Sequence, residues 1–143
     1  MKQKILHTVV RERFLVCVLL IFLTLIPGVH KALGDFPPQW FHNLFEQSII
    51  GKIPFGIEVS FALIMLIELG AGLLFCMSLF QKLTKQDVND KVMELAFSLT
   101  LLLFIILFFG SFLIENYDNG FKDFVYFIGV YYLRNRMRNE INE

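Results

Sequence analysis

A glutamate inside the second apolar run of the chain is the residue best placed to do chemistry. Glu68 follows Ile67 and precedes Leu69, and it lies about 20 Å along a helix counted from Gln81. An ionised carboxylate near the centre of a bilayer costs about 2.5–3.5 kcal/mol on insertion scales, so such a residue usually faces inward toward a partner. Glu68 is therefore the first candidate binding residue.

Two basic residues at the end of the first apolar run can supply that partner. His30 and Lys31 follow Gly28, and Lys31 lies about 25 Å along a helix counted from Phe14. A lysine side chain can extend about 5 Å toward a polar partner. We therefore expect His30 or Lys31 to pair with Glu68 and to face a cavity open to the outer side.

The predicted ligand-binding residues are therefore His30, Lys31 and Glu68. One alternative is an ion pair or hydrogen bond that only fixes the register of the two helices. Another is a proton or ion pathway, for which a single carboxylate makes a weak relay.

A metal site in the outer segment is a further alternative. His30, Asp35, His42 and Glu46 carry imidazole and carboxylate groups, which suit several divalent ions. His42 and Glu46 are four residues apart and share a helix face. Because nothing in the sequence fixes the other two against this pair, we predict polar residues at the membrane interface and no metal.

The composition places these residues in a membrane. The chain has 143 residues, of which 56% are hydrophobic and 17 are Phe, whereas soluble domains are about 45–50% apolar. The formal net charge is zero, so the sequence offers no docking surface for nucleic acid. We predict one membrane domain over residues 1–143 whose first partner is the lipid bilayer.

Four apolar stretches can form membrane spans, which need about 20 residues each. The predicted fold is an all-α, polytopic four-transmembrane-helix bundle. Its spans are about 14–33, 53–80, 92–114 and 117–136, joined by polar stretches such as 81–91. The last apolar run, 121–133, is short, so it spans only if extended to 117–136. Its alternative is a helix lying along the membrane surface.

A short helix is predicted between the first two spans. Residues 39–50 follow a proline-broken stretch and place positions 41, 44, 45, 48 and 49 on one helical face. Trp40 suits the interface between lipid and water. We interpret the segment as an interfacial helix, with an ordinary folded loop as the alternative.

The distribution of positive charge predicts the topology. If the N-terminus is cytoplasmic, three basic residues lie outside, Lys31, Lys52 and Lys122. Ten lie inside: Lys2, Lys4, Arg11, Arg13, Lys82, Lys85, Lys91, Arg134, Arg136 and Arg138. This is the positive-inside bias. It places both termini in the cytoplasm, makes the first span a retained signal anchor, and locates a bacterial protein in the inner membrane.

The two cysteines do not indicate thiol chemistry. Cys17 and Cys76 lie near the cytoplasmic, reducing ends of their spans, and no C-x-x-C pair is present. We interpret them as packing residues. Phosphate loops, nucleophile elbows and H-E-x-x-H zinc motifs are absent from the sequence as well, so we predict no catalytic activity of its own.

Taken together, these residues resemble the DoxX-like membrane proteins, a broad group that includes MauE. The pattern runs from about Arg11 to Leu133 and consists of Arg13, Phe22, Gly28, Lys31 and Leu33, then Glu68, Gly70 and Gly72. The resemblance implies a four-helix membrane bundle with Lys31 and Glu68 lining its interior. His30 is not assigned by the family pattern, and the lack of paired cysteines argues against a MauE-like thiol role.

Three functions follow as hypotheses. Members of the DoxX-like group are associated with oxidoreductase systems, as quinone-linked or anchoring subunits, or with protein maturation. By that resemblance the leading hypothesis is an accessory subunit of a larger membrane assembly, with other membrane subunits or copies of itself as partners. The second is a quinone- or lipid-binding oxidoreductase component with a pocket at His30, Lys31 and Glu68. The third is a small transporter acting as a homo-oligomer.

Overall fold

Helices are the regular secondary structure of the part of the chain that the structure describes. A computed structural model describes residues 2–83 and 90–139, with side chains for 12–81 and 91–138. Its helices are α1 (Lys2–Leu33), α2 (Gln39–Phe45), α3 (Gly56–Leu83), α4 (Asp90–Leu113) and α5 (Tyr117–Asn139), with a 3-10 turn at Ile50–Lys52. The predicted all-α class is confirmed for these residues. Within the predicted polar connection 81–91, residues 84–89 lie outside the described part.

Three of these helices are long and apolar enough to cross a membrane. The stretches are Glu12–Leu33 in α1, Gly56–Gln81 in α3 and Lys91–Leu113 in α4. They coincide with the first three predicted spans to within three residues at each end, and α1 continues through Pro27 without interruption. The fourth predicted span, α5, is not among them, because its apolar run is flanked by charged residues at both ends. The structure thus supports a membrane-embedded helical protein with three apolar spans.

One hydrophobic cluster joins the four long helices. It contains Leu20 of α1, Phe75 of α3, and a group from α4 and α5 that comprises Met93, Ala96, Phe97, Leu101, Phe104, Val130 and Met137. The rings of Phe75 and Phe97 meet edge to face, with centroids 5.3 Å apart. Such pairs add about 0.5–1.5 kcal/mol beyond the area they bury. The cluster therefore holds α5 against the apolar helices.

A second cluster attaches α2 to α3 and α4. Phe41 and Phe45 of α2 are buried, and the ring centroid of Phe41 lies 5.0 Å from that of Phe61. The predicted interfacial segment is therefore helical, but the helix ends at Phe45 and the chain then turns. On the predicted helical face, Phe41, Phe45 and Ser48 are buried, whereas Leu44 and Ile49 are exposed and can contact lipid.

Helices α1 and α3 approach each other closely at two glycines. A Cβ atom built on Gly72 would lie 2.6 Å from Leu25 Cβ and 2.8 Å from Leu25 Cα. On the facing helix, a Cβ built on Gly28 would lie 3.0 Å from the backbone nitrogen of Leu69 and 3.1 Å from Glu68 Cβ. Small residues allow this packing in lipid. Helix α3 packs against both α1 and α4.

A tight turn between α4 and α5 sets the start of α5. The backbone N–H of Asn116 donates to Ser111 O at 2.9 Å, and that of Glu115 donates to Phe112 O at 3.1 Å. This is a Schellman motif. Glu115 occupies its left-handed position with φ 57°, and the Asn116 side chain then accepts a hydrogen bond from the Asn119 N–H at 3.3 Å, capping α5.

Glu115→Gly is expected to stabilise the protein by about 1 kcal/mol, because glycine adopts the left-handed conformation without a Cβ penalty. Thermal unfolding followed by circular dichroism in a mild detergent measures the change. Glu115→Ala removes the same charge but keeps the Cβ, so it is the matched control. Equal stability of the two variants would contradict a backbone origin for the gain.

Candidate functional site

Of the two predicted partners of Glu68, Lys31 is the one that pairs with it. Its Nζ lies 2.7 Å from both Oε1 and Oε2 of Glu68 and donates a hydrogen bond to each. Glu68 is 4% exposed, whereas the Lys31 side chain is 20% exposed. The close approach of α1 and α3 at Gly28 brings the two side chains together, so the predicted Lys31–Glu68 pair is confirmed.

His30 occupies a different position on the same helix turn. Consecutive residues on a helix point about 100° apart, and the His30 side chain is exposed. Within the described residues, both hydrogen bonds to the Glu68 carboxylate come from Lys31. Lys31 is thus the pairing residue, and a ligand contact of His30 stays a prediction.

The ion pair lines one wall of a cavity of about 330 Å³ that lies between the helices at one end of the protein. Lys31 and Glu68 belong to α1 and α3, while Ser111, Asp123 and Tyr126 line it from α4 and α5. We call this cavity the polar cleft. Its volume lies within the range of small-molecule sites, about 300–1,000 Å³.

The opposite wall of the polar cleft carries a second charged group. The Ser111 Oγ donates to the Oδ2 of Asp123 at 3.0 Å, and the Lys122 Nζ donates to the Oδ1 of Asn119 at 3.3 Å. All four side chains line the cavity. The sequence contained a signal for Lys122 and Asp123, since charged residues within an apolar run usually face a cavity or the protein interior.

Apolar side chains complete the polar cleft. Trp40 and Phe41 of α2 line it together with Ile64 and Ile106. One region of the cavity thus presents ammonium, carboxylate and hydroxyl groups, and another presents aromatic and aliphatic surface. This arrangement suits an amphipathic small molecule, with its head at the charged groups and its tail against the apolar ones.

The metal alternative finds no support in the described part of the chain. No group of three or more His, Cys, Asp or Glu side chains there lies close enough to hold a metal ion. Cys17 is buried and Cys76 is partly buried, and no disulfide joins the two.

Comparisons with known protein families, with curated proteins and with solved structures find no match to this chain. The DoxX-like resemblance stays a prediction. Function is accordingly argued from the geometry of the polar cleft.

Proposed function

We propose that this chain is a multi-pass membrane protein that binds the polar head of a quinone or a lipid beside the Lys31–Glu68 pair. The supporting observation is the position of that pair on the wall of an amphipathic cavity. A lysine ammonium has three N–H donors, and two of those of Lys31 serve Glu68. The third can donate to a carbonyl or phosphate oxygen of a ligand.

The cleft favours binding over a purely structural role for the ion pair. A pair of buried charges is weak evidence for stability, because desolvation offsets the attraction between them. A pair that only fixed helix register could be sealed among apolar side chains. Lys31 and Glu68 instead share a cavity with the polar groups of Ser111 and Asp123.

We also propose that α5 crosses the membrane beside α4. Ser111 bonds Asp123 near one end of the two helices, and Arg134 Nη2 lies 2.7 Å from Glu94 Oε2 near the other. Contacts at both ends support two antiparallel helices that traverse the same thickness, which gives the four-helix bundle.

The proposed topology is supported by a contact between α1 and α5. Arg136 pairs with Glu12 at 2.7 Å, so the start of the first apolar stretch and the end of α5 lie together. The basic residues Arg13, Arg134 and Arg138 lie nearby in sequence, and the positive-inside rule then assigns this end to the cytoplasm. The polar cleft opens at the outer end, in the inner membrane if the source is bacterial.

Membership in the DoxX-like group is part of this proposal and is supported by the contact between Lys31 and Glu68. The roles of accessory subunit and homo-oligomeric transporter stay predictions, because the exposed apolar side chains of the long helices suit lipid and partner helices equally. Mild purification tests the accessory role. A single species of monomer size with no co-purifying protein would contradict it.

Glu68→Gln is expected to weaken ligand binding about 10- to 100-fold, the range of one hydrogen bond to a charged group. Without its anion, the partly exposed Lys31 ammonium turns toward water and leaves the ligand. Trp40, the only tryptophan of the chain, lines the cleft. Its fluorescence, in detergent-solubilised protein titrated separately with a short-chain benzoquinone and a short-chain phospholipid, measures binding.

The matched control is Glu58→Gln. Glu58 lies on the same helix, is partly buried and is not part of the cleft. The control should bind like the wild-type protein. Unchanged binding of both probes by Glu68→Gln, with normal circular dichroism, would exclude the proposed site.

A further inference from the structure

On the α5 wall of the polar cleft, the Asp123 carboxylate can accept further hydrogen bonds. The Asp123 carboxylate accepts one hydrogen bond, from Ser111 Oγ to Oδ2. Among the described side chains it forms no ion pair within 4.0 Å. An ionised carboxylate offers acceptor sites only, so a ligand meets Asp123 best through a hydroxyl or an ammonium donor.

On the α1 wall, the group available to a ligand is a hydrogen-bond donor. Lys31 offers a third N–H, beyond the two that Glu68 accepts, and an oxygen of the ligand can accept it. The charged side chains on the two walls are Lys31, Glu68, Lys122 and Asp123, and their formal charges cancel. Lys31 favours an anionic acceptor and Asp123 a cationic donor. A zwitterionic head with one of each therefore matches the cleft in both hydrogen bonding and net charge.

This pattern discriminates among amphipathic molecules. An oxidised quinone has two carbonyl acceptors and no donor. Phosphocholine has a phosphate, but its quaternary ammonium carries no N–H. Phosphoethanolamine combines a phosphate with an ammonium that has three N–H groups, so it alone of the three satisfies both walls by hydrogen bonds.

We propose that the ligand is an ethanolamine phospholipid, with its phosphate at Lys31 and its ammonium at Asp123. This inference rests on the proposed function, in which the polar cleft is a binding site. The apolar side chains of Trp40, Phe41 and Ile106 then contact the glycerol and the first part of the acyl chains. Asp123 is the residue that selects the head group, and Ser111 positions its carboxylate.

The test compares phospholipids that differ only in the head. Detergent-solubilised protein is titrated with dihexanoyl phosphatidylethanolamine and with dihexanoyl phosphatidylcholine, and Trp40 fluorescence is recorded. We expect the wild-type protein to bind the ethanolamine lipid about tenfold more tightly, the factor for one charge-assisted hydrogen bond. Because this comparison needs no variant, it does not depend on how a substitution affects folding.

Variants then assign the preference to one side chain. Asp123→Asn should reduce binding of the ethanolamine lipid to the level of the choline lipid, and Asp123→Glu should retain part of the preference. Asp118→Asn is the matched control, because Asp118 is an exposed carboxylate in the first turn of α5 that is not part of the cleft. Its preference should equal that of the wild-type protein.

Each outcome has a distinct meaning. Equal binding of the two lipids that still depends on Glu68 would overturn the head-group assignment and leave the proposed function standing. Binding of the benzoquinone but of neither lipid would also overturn the head-group assignment and leave the proposed function standing. A preference that survives Asp123→Asn would remove Asp123 from the site, and absence of binding by every probe would overturn both proposals.

Discussion

Replacing Lys31 with methionine is expected to lower the free energy of unfolding by about 3 kcal/mol, the lower end of the range for breaking a buried ion pair. The substitution leaves the Glu68 carboxylate, 4% exposed, without the ammonium that bonds both of its oxygens. Methionine keeps most of the apolar stem of lysine, so the loss reports the charge. Equilibrium unfolding of the purified protein in mixed micelles measures it.

Lys31 and Glu68 differ in their exposure to water, so substituting Glu68 serves as the control for substituting Lys31. Glu68→Gln should cost less than Lys31→Met, since the Lys31 side chain is 20% exposed and can reach water. The double variant Lys31→Met/Glu68→Gln should be more stable than Lys31→Met alone, because it leaves no uncompensated buried charge. The double variant should still bind neither the short-chain benzoquinone nor the short-chain phospholipid. A double variant less stable than Lys31→Met would contradict the unpaired carboxylate as the cause.

The ion pair could be predicted from the sequence because it depends mainly on the depth of each residue along its helix. Glu68 and Lys31 stand in apolar runs, and helical rise alone places them at similar depth. Adjacent antiparallel helices then bring them together. The choice of Lys31 over His30 needed the structure, since helix rotation decides which of two consecutive side chains faces α3.

The second wall of the cleft could not be predicted in the same way. Asp123 reaches the cleft because the turn at Glu115 and the bond from Ser111 fix the rotation of α5 against α4. A charged residue in an apolar run indicates an inward face, but it does not say which neighbouring helix that face meets. The end of α2 at Phe45 likewise depends on the local turn at Ser48, whose Oγ donates to Phe45 O at 2.7 Å.

Gly72→Ala is expected to destabilise the protein by about 1–3 kcal/mol, the usual cost of overpacking a well-packed contact. The added Cβ would lie 2.6 Å, 2.8 Å and 2.9 Å from the Cβ, Cα and N atoms of Leu25. Because two of these are backbone atoms, α1 must move away from α3. That movement also separates Lys31 from Glu68, so ligand binding measured by Trp40 fluorescence should fall together with stability.

Gly70→Ala separates this contact from the general effect of adding a methyl group. Gly70 lies two residues away on the same helix, and its built Cβ meets only Leu99 Cδ1, at 3.8 Å. Alanine there should be neutral or stabilising by up to about 1 kcal/mol through helix propensity. Leu25→Ala should not rescue Gly72→Ala, since alanine keeps all three contacting atoms. Rescue would place the strain in the Leu25 side chain, and the backbone approach of α1 to α3 would then not be what positions Lys31 against Glu68.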